Sequence, residues 1–141
     1  MSATSDWNTR NGRIIEEFRA NAGRVGGPFE GSTLLLLHTT GRISGRERVS
    51  PLMYLPDGDR YVIFASKGGA PTDPDWYRNL EADPTVTVEL GSETIPVRAS
   101  VVTGPERDEL YARQVEIRPQ FAEYAEKADR IIPVVALEPV G

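Results

Sequence analysis

The sequence contains no cysteine, and histidine occurs once in its 141 residues. The lack of cysteine excludes disulfides, thiolate catalysis and cysteine-ligated zinc or iron–sulfur clusters. A single histidine also excludes a histidine-rich metal site, so no metal is expected. That residue, His38, ends an apolar run and has no carboxylate partner nearby in the sequence, which favours a hydrogen-bonded structural role over a catalytic one.

Long hydrophobic runs and an excess of positive charge are absent as well. Runs such as Leu34 to Leu37 are far too short to cross a bilayer, and the first residues lack the pattern of a signal peptide, so we expect a cytoplasmic protein. The formal net charge of −5 disfavours nucleic acid as a partner. With 39% hydrophobic and 26% charged residues, the composition fits one globular domain, residues 1–141.

The N-terminal part, residues 1–30, is predicted to be an amphipathic helix followed by a joint. From Trp7 to Ala20, apolar residues recur at helical spacing, and glycines at 26 and 27 then break the pattern. The favoured interpretation is a helix packed on the domain. If its apolar face were free, the helix would instead make a peripheral contact with a membrane surface.

Six short strands are predicted after the joint. Residues 33–40 form an apolar run typical of a buried strand, and residues 85–90 and 94–102 alternate as an antiparallel pair does. Residues 48–55 and 60–66 are predicted to form a hairpin across a Pro-Asp-Gly-Asp turn, and residues 131–137 to close the sheet. Pro51 requires that the first arm of this hairpin be an edge strand or carry a bulge.

Helices are predicted in the middle and near the end of the chain. Asp73 is expected to cap a helix that runs from Pro74 to about Ala82, and two further helices are expected at residues 106–117 and after Pro119. These elements indicate an α+β fold, a small and mostly antiparallel barrel with peripheral and lid helices.

A basic loop lies between the first two strands. Arg42, Arg46 and Arg48 face only one acid there, Glu47, although the protein is acidic overall. This local patch indicates a small anionic ligand, and a solvated arginine-rich turn is the alternative. The glycines at 41 and 45 match neither the dinucleotide fingerprint nor the phosphate P-loop.

Five motifs in order carry a resemblance to a known family. They are Thr-Thr-Gly-Arg-x-Ser-Gly at 39–45, Arg-Val-Ser-Pro-Leu at 48–52, Ala-Ser-Lys-Gly-Gly at 65–69, Trp-Tyr-x-Asn-Leu at 76–80 and Asp-Arg-Ile-Ile-Pro-Val at 129–134. Together they resemble the deazaflavin-dependent nitroreductase family of the flavin/deazaflavin oxidoreductase superfamily. The resemblance implies a split β-barrel of the FMN-binding type and coenzyme F-420, an 8-hydroxy-5-deazaflavin, with FMN as the less favoured cofactor.

The resemblance also implies a set of coenzyme-binding residues. Arg42, Arg48 and Lys67 match the anionic tail, because arginine suits bidentate contact with phosphate or carboxylate and lysine supplies a point charge. Backbone amides from Ser66 to Gly69 are predicted to form an anion-binding nest. Trp76 has core packing as its alternative role. The full predicted set is Arg42, Arg48, Ser50, Pro51, Met53, Ala65, Ser66, Lys67, Gly68, Trp76 and Asn79.

The predicted reaction is hydride transfer from the reduced coenzyme to a small conjugated acceptor: a quinone, an enone or a nitroaromatic. The sequence departs from the family at Phe121, which stands where nitroimidazole-reducing relatives present a tyrosine and which cannot donate a proton. Phe121, Tyr124 and Ser66 are therefore the predicted catalytic positions, with Tyr124, Ser66 or water as proton donor and plain lid packing as the alternative for both aromatic residues. A non-catalytic coenzyme-binding protein and an FMN-dependent oxidoreductase are the alternative functions, and a monomer or a homodimer is expected.

Overall fold

One antiparallel sheet forms the framework of the protein. The computed structural model describes residues 6–23 and 34–140, and in these ranges the side chains of residues 6–11 and of Gly68 are not described. The predicted joint at residues 26–28 lies outside the described residues. The sheet has the order β2-β1-β5-β6-β7-β4-β3. Its strands are β1 (Leu34–Thr40), β2 (Glu47–Met53), β3 (Leu55–Asp57), β4 (Arg60–Phe64), β5 (Thr85–Leu90), β6 (Glu93–Val102) and β7 (Val134–Pro139).

The predicted hairpin of residues 48–55 with 60–66 is wrong in its pairing. β2 pairs along its whole length with β1, from Thr40 opposite Glu47 to Leu34 opposite Met53. The Pro-Asp-Gly-Asp turn instead joins β4 to the short strand β3, which makes seven strands where about six were expected. β2 is an edge strand, and this confirms the edge position predicted from Pro51, since proline has no N–H for a second neighbour.

The curled sheet has buried side chains on both faces. Its inner face encloses a cluster that includes Leu35, Val88 and Leu137 together with Trp76 and Leu80. The helix α2 (Asp75–Ala82) contributes these last two residues. On the outer face, a second cluster lies under α3 (Gly104–Ile117) and α4 (Gln120–Ala128). The alternation predicted for residues 94–102 does not extend to Val101, which is exposed. The next residue, Val102, is buried in this second cluster.

The N-terminal helix α1 (Asp6–Ala20) packs on the outer face of β1. Phe18 is 0% exposed, and Phe18 and Ile14 contact Leu34 and Leu36. At these two positions the apolar face of α1 is therefore buried and not free to contact a membrane. The side chain of Trp7 lies outside the described residues. No helix in the described ranges is long and apolar enough to span a bilayer.

The start of α2 differs from the predicted cap. Pro74 is the residue before the helix, and the helix has no side-chain cap. The carboxylate of Asp73 accepts a hydrogen bond from Arg130 Nη1 at 2.7 Å instead. The Asp73 carboxylate thus pairs with an arginine 57 residues away in the chain and not with a backbone amide of α2.

Candidate active site

A cleft of about 770 Å³ opens between α1, the loop after β1, strand β2 and the start of α2. Its volume lies within the range of small-molecule and cofactor sites. Five of the predicted coenzyme-binding residues line it: Arg42, Arg48, Ser50, Trp76 and Asn79. The other lining residues are Gly12, Ile15, Gly41, Ile43, Ser44, Glu47, Val49 and Asp75.

The basic loop owes its shape to a tight turn at Gly41. The Gly41 amide donates to the Arg46 carbonyl at 2.8 Å, and the Gly45 amide donates to the Gly41 carbonyl at 2.8 Å. A Cβ atom at position 41 would lie 2.6 Å from Ser44 Oγ. The Ser44 hydroxyl could rotate away, but the Arg46 carbonyl oxygen lies 3.3 Å from the same Cβ position, so a larger residue at position 41 would require the turn to shift. The turn places Arg42 at the cleft.

Asn79 holds this loop in place. Its Oδ1 accepts hydrogen bonds from the Arg42 backbone N–H at 3.1 Å and from Arg42 Nη1 at 3.2 Å. Its Nδ2 donates to Thr39 Oγ1 at 3.2 Å. Asn79 is only 4% exposed, and these contacts favour a role in positioning Arg42 over the direct coenzyme contact that the resemblance implies.

Of the two arginines that line the cleft, Arg42 has an acidic partner and Arg48 has none among the described residues. Arg42 Nη2 lies 3.8 Å from the highly exposed carboxylate of Asp75, and Glu47 Oε2 lies 3.1 Å from His38 Nδ1. Within residues 34–140, no acidic group lies within salt-bridge distance of Arg48. An anion that enters the cleft can therefore pair with Arg48 without displacing an acid, whereas at Arg42 it competes with Asp75.

Trp76 lies partly in the core and partly at the cleft. It belongs to the inner cluster, is 9% exposed, and packs edge to face on Tyr77 with the ring centroids 6.5 Å apart. Its remaining surface lines the cleft. The indole thus forms an apolar wall that is fixed by the core.

A second group of predicted residues lies on the turn between β4 and α2. Ser66 has right-handed helical dihedrals, and Lys67 has a positive φ of 49°. A right-handed residue followed by a left-handed one is the backbone pattern of an anion-binding nest. A non-glycine residue rarely adopts this φ, and such strain is concentrated at functional sites. The amides of Ser66 and Lys67 have no backbone acceptor among the described residues.

The side chains of this turn are also available to a ligand. Lys67 is exposed, and its Nζ has only a long hydrogen bond to Thr72 Oγ1, at 3.4 Å. The Ser66 hydroxyl has no hydrogen-bond partner in the described part of the chain, although the residue is buried. The predicted nest therefore has the geometry that its function requires, and coenzyme contact there stays a prediction.

The lid helix α4 packs against this turn. Gly69 has a φ of 89°, and a Cβ atom there would lie 3.2 Å from Tyr124 Cα and 3.1 Å from Lys127 Cβ, so the close approach of α4 requires a glycine. Tyr124 is partly exposed, and its ring centroid lies 5.1 Å from that of Phe121. Phe121 is buried against Phe64 and Tyr111, a placement that favours lid packing for this residue.

The cleft does not gather every predicted residue. Ala65 is fully buried in the inner cluster. Met53 packs on the outer face of the sheet, both against the cluster under α3 and α4 and against the residues where α1 meets β1. Pro51 lies on β2 beyond the residues that line the cleft. The roles assigned to these three residues, to Tyr124 and to Phe121 stay predictions.

His38 lies in an ionic cluster beside the cleft. Its Nε2 lies 2.6 Å from Glu89 Oε2 and its Nδ1 lies 3.1 Å from Glu47 Oε2, so its partners come from other strands. Arg19 of α1 donates to both oxygens of Glu89, at 3.0 and 2.7 Å. These hydrogen bonds from Arg19, together with the one that Glu89 Oε2 accepts from the His38 ring, lower the pKa of Glu89. The cluster ties α1 to the sheet, which agrees with a structural role for His38.

Sequence reasoning missed the residues that support the site. Gly12 and Ile15 of α1 line the cleft, but nothing in the helical pattern pointed to a ligand. Arg130 contacts the turn that carries Lys67. Arg130 belongs to the motif at 129–134 that contributes to the family resemblance, but the motif by itself gives this arginine no role.

The chain is similar to known proteins in sequence and in fold. The model of a family described as F420H(2)-dependent quinone reductase matches residues 12–139. A protein of Mycobacterium tuberculosis strain H37Rv, named as an F420H(2)-dependent quinone reductase, is 40% identical over 126 residues, which cover 85% of this chain and 83% of the relative.

Two solved structures have a similar fold. One is a structure of an F420-H2 dependent reductase, FDR-A, with 42% identity, a TM-score of 0.69 and coverage of 75% of this chain and 94% of that chain. The other is described as a domain-swapped dimer, with 38% identity, a TM-score of 0.70 and coverage of 94% and 98%. The split-barrel prediction is confirmed by these likenesses.

Proposed function

Because the chain belongs to the F420H(2)-dependent quinone reductase family, with residues 12–139 matched, we propose that it transfers a hydride from reduced coenzyme F-420 to a quinone. Family membership confirms the predicted resemblance, the F-420 cofactor and the assignment as an oxidoreductase. The acceptor class, predicted as a quinone, an enone or a nitroaromatic, is narrowed by the family to the quinone.

The observation that carries the proposal is the cleft, in which Arg42 and Arg48 lie beside the part of the Trp76 side chain that the core leaves uncovered. A flat ring needs an apolar wall, and an anionic tail needs cations that are not already neutralised. The cleft offers Trp76 for the first and Arg48 for the second. The nest at Ser66 and Lys67 adds further anion-binding groups on the turn that leads into α2. The residues present therefore fit the coenzyme.

Each residue then has a defined task in binding. Arg48 and Lys67 pair with anionic groups of the tail, and Arg42 is held by Asn79 for the same purpose. Trp76 restricts the ring to one plane. Ile15, on α1, covers the cleft and keeps water from the reacting atoms.

When bound, reduced coenzyme F-420 supplies a hydride, and a quinone becomes a hydroquinone by taking up that hydride together with one proton. The proton comes from a side chain at the site or from water. The Ser66 hydroxyl is adjacent to the nest, and the partly exposed Tyr124 packs beside Gly69. Both are proposed donors, with water as the third candidate. Phe121 shapes the lid under Tyr124.

The first experiment is an assay of coenzyme reoxidation with a panel of acceptors. Reduced coenzyme F-420 is mixed with the protein and a quinone, an enone or a nitroaromatic, and the fluorescence of the oxidised coenzyme is followed. We expect turnover that is fastest with the quinone. Binding without turnover of any acceptor would favour a coenzyme-binding protein, and turnover only with reduced FMN would refute the cofactor assignment.

Arg48→Ala tests the location of the site in the same assay. Loss of a charge-assisted contact should weaken coenzyme binding by about 1–3 kcal/mol. Arg98→Ala is the matched control, because Arg98 is an exposed arginine on β6 that does not line the cleft. Equal affinity of the Arg48 and Arg98 variants would place the coenzyme elsewhere.

The remaining predictions about the whole protein are part of this proposal. We propose a single domain and a homodimer, for which the solved neighbour described as a domain-swapped dimer is support. Sedimentation equilibrium tests the assembly. We propose a cytoplasmic location, and subcellular fractionation tests it.

A further inference from the structure

We propose that Arg130 is a positioning residue that holds the turn at Ser66 and Lys67 in its anion-binding conformation. The inference rests on the proposed function, in which this turn receives the anionic tail of the coenzyme. Arg130 follows Asp129, which is the residue directly after α4 and has a left-handed φ of 52°. From there its side chain crosses to the segment between β4 and α2.

The hydrogen bonds of Arg130 enclose the turn from both sides. Its Nη2 donates to the Ala65 carbonyl at 3.2 Å, before the turn, and to the Thr72 carbonyl at 3.0 Å, after it. A longer contact of 3.4 Å reaches the Ser66 carbonyl. Its Nε donates to the Ala70 carbonyl at 3.1 Å. One guanidinium thus fixes the two ends of the turn at a set separation.

The charge of Arg130 is already used within the protein. Its Nη1 donates to Asp73 Oδ1 at 2.7 Å, and its side chain is only 16% exposed. A cation that is paired and shielded in this way is a poor direct contact for a polyanionic tail. Its shorter hydrogen bonds to backbone go instead to the carbonyl oxygens of Ala65, Ala70 and Thr72, which lie outside the strands and helices. Arg130 therefore acts through the turn rather than on the coenzyme.

Lysine cannot replace this arrangement. The guanidinium distributes five donors over a rigid plane, whereas a lysine ammonium carries three donors at one point. Arg130→Lys keeps the charge next to Asp73 and removes the connection between the two ends of the turn. Without that connection the positive φ of Lys67 is no longer enforced, and the backbone amides no longer converge.

The test compares two ligands: coenzyme F-420 and its tail-less deazaflavin riboside core. For Arg130→Lys we expect a dissociation constant for coenzyme F-420 that is at least tenfold higher, and one for the core within twofold of that of the unmodified protein. Lys67→Ala should give the same selective loss. In the double variant the loss should be smaller than the product of the two single effects, because both act on one turn.

Arg107→Lys is the matched control. Arg107 is also shielded, at 18% exposure, and donates to a backbone carbonyl, that of Ile132, at 3.2 and 2.7 Å. It lies on α3, and among the described residues its hydrogen bonds go to Ile132 and Asp108 and not to the turn. This variant should leave the affinities for both ligands unchanged. If Arg130→Lys fails to fold, Asp73→Asn weakens the same guanidinium more mildly and should give a smaller loss with the same selectivity for the tail.

The outcomes separate this inference from the function on which it rests. If the unmodified protein binds the coenzyme no more tightly than the core, or if Lys67→Ala changes nothing, the turn does not bind the tail and the proposed site is wrong. If Lys67→Ala loses affinity for the tail while Arg130→Lys keeps it, only the positioning role is overturned. An equal loss for both ligands in Arg130→Lys would also overturn it.

Discussion

Asn79→Ala is the most direct test of how the basic loop is held. The change removes three hydrogen bonds, from the Arg42 backbone, from its guanidinium and to the Thr39 hydroxyl. At about 1 kcal/mol for each, the free energy of unfolding should fall by about 3 kcal/mol. Because the loop is then free to move, we expect the coenzyme dissociation constant to rise about tenfold, which corresponds to about 1.4 kcal/mol.

Thr39→Val is the matched control for this variant. It removes only the bond from Asn79 Nδ2 at 3.2 Å and leaves Arg42 in place. The free energy of unfolding should fall by about 1 kcal/mol and the coenzyme dissociation constant should stay within twofold. Urea denaturation and a fluorescence titration measure the two quantities. If both variants lost the same affinity, or if Asn79→Ala lost none, the proposed link from Asn79 to Arg42 would be refuted.

Three further predictions follow from α1 and the cleft. Phe18→Ala leaves a cavity where α1 meets the sheet, and it should lower the free energy of unfolding by about 3–5 kcal/mol in urea denaturation; an unchanged midpoint would mean that α1 is not docked. The lowered pKa of Glu89 contributes stability that is complete above about pH 4.3 and disappears as the pH falls through the folded-state pKa. Glu89→Gln should therefore flatten the acid side of the stability profile, and an unaltered profile would contradict this. Asp75→Asn frees Arg42 from a competing acid 3.8 Å away and should tighten coenzyme binding about twofold at low salt; weaker binding would show that Asp75 itself contacts the ligand.

Local signals in the sequence predicted the parts of the fold that depend on local contacts. The strands at 85–90 and 94–102 alternate regularly and are joined by Gly91-Ser92, so their pairing follows from neighbouring residues. The partner of β2 could not be read in this way. Two turns flank it, at Gly41 and at Gly58, and both are compatible with a hairpin. The choice of β1 follows from the pairing of the whole sheet, which no single turn specifies.

The residue types at the candidate site could be predicted from the sequence, whereas the contacts that each residue makes could be predicted less well. The cations and Trp76 were assigned from motifs, and the cleft brings several of them together. Asp73 was expected to cap α2, but its partner Arg130 lies 57 residues away. The resemblance places Asn79 in the coenzyme-binding set, but its Oδ1 accepts hydrogen bonds from Arg42. A motif records that a polar residue is needed at a position, and only the three-dimensional contacts show whether it touches the ligand or another side chain.

Both supports of the site converge on α2. Asn79 reaches from this helix to the basic loop, and Arg130 fixes the turn that leads into its first residue. The helix itself is fixed by Trp76, Tyr77 and Leu80 in the inner cluster. Because a packed core resists displacement, the apolar face of α2 sets the positions of cations on two separate loops. A change at Leu80 is therefore expected to alter the proposed coenzyme site through the core on which both loops depend.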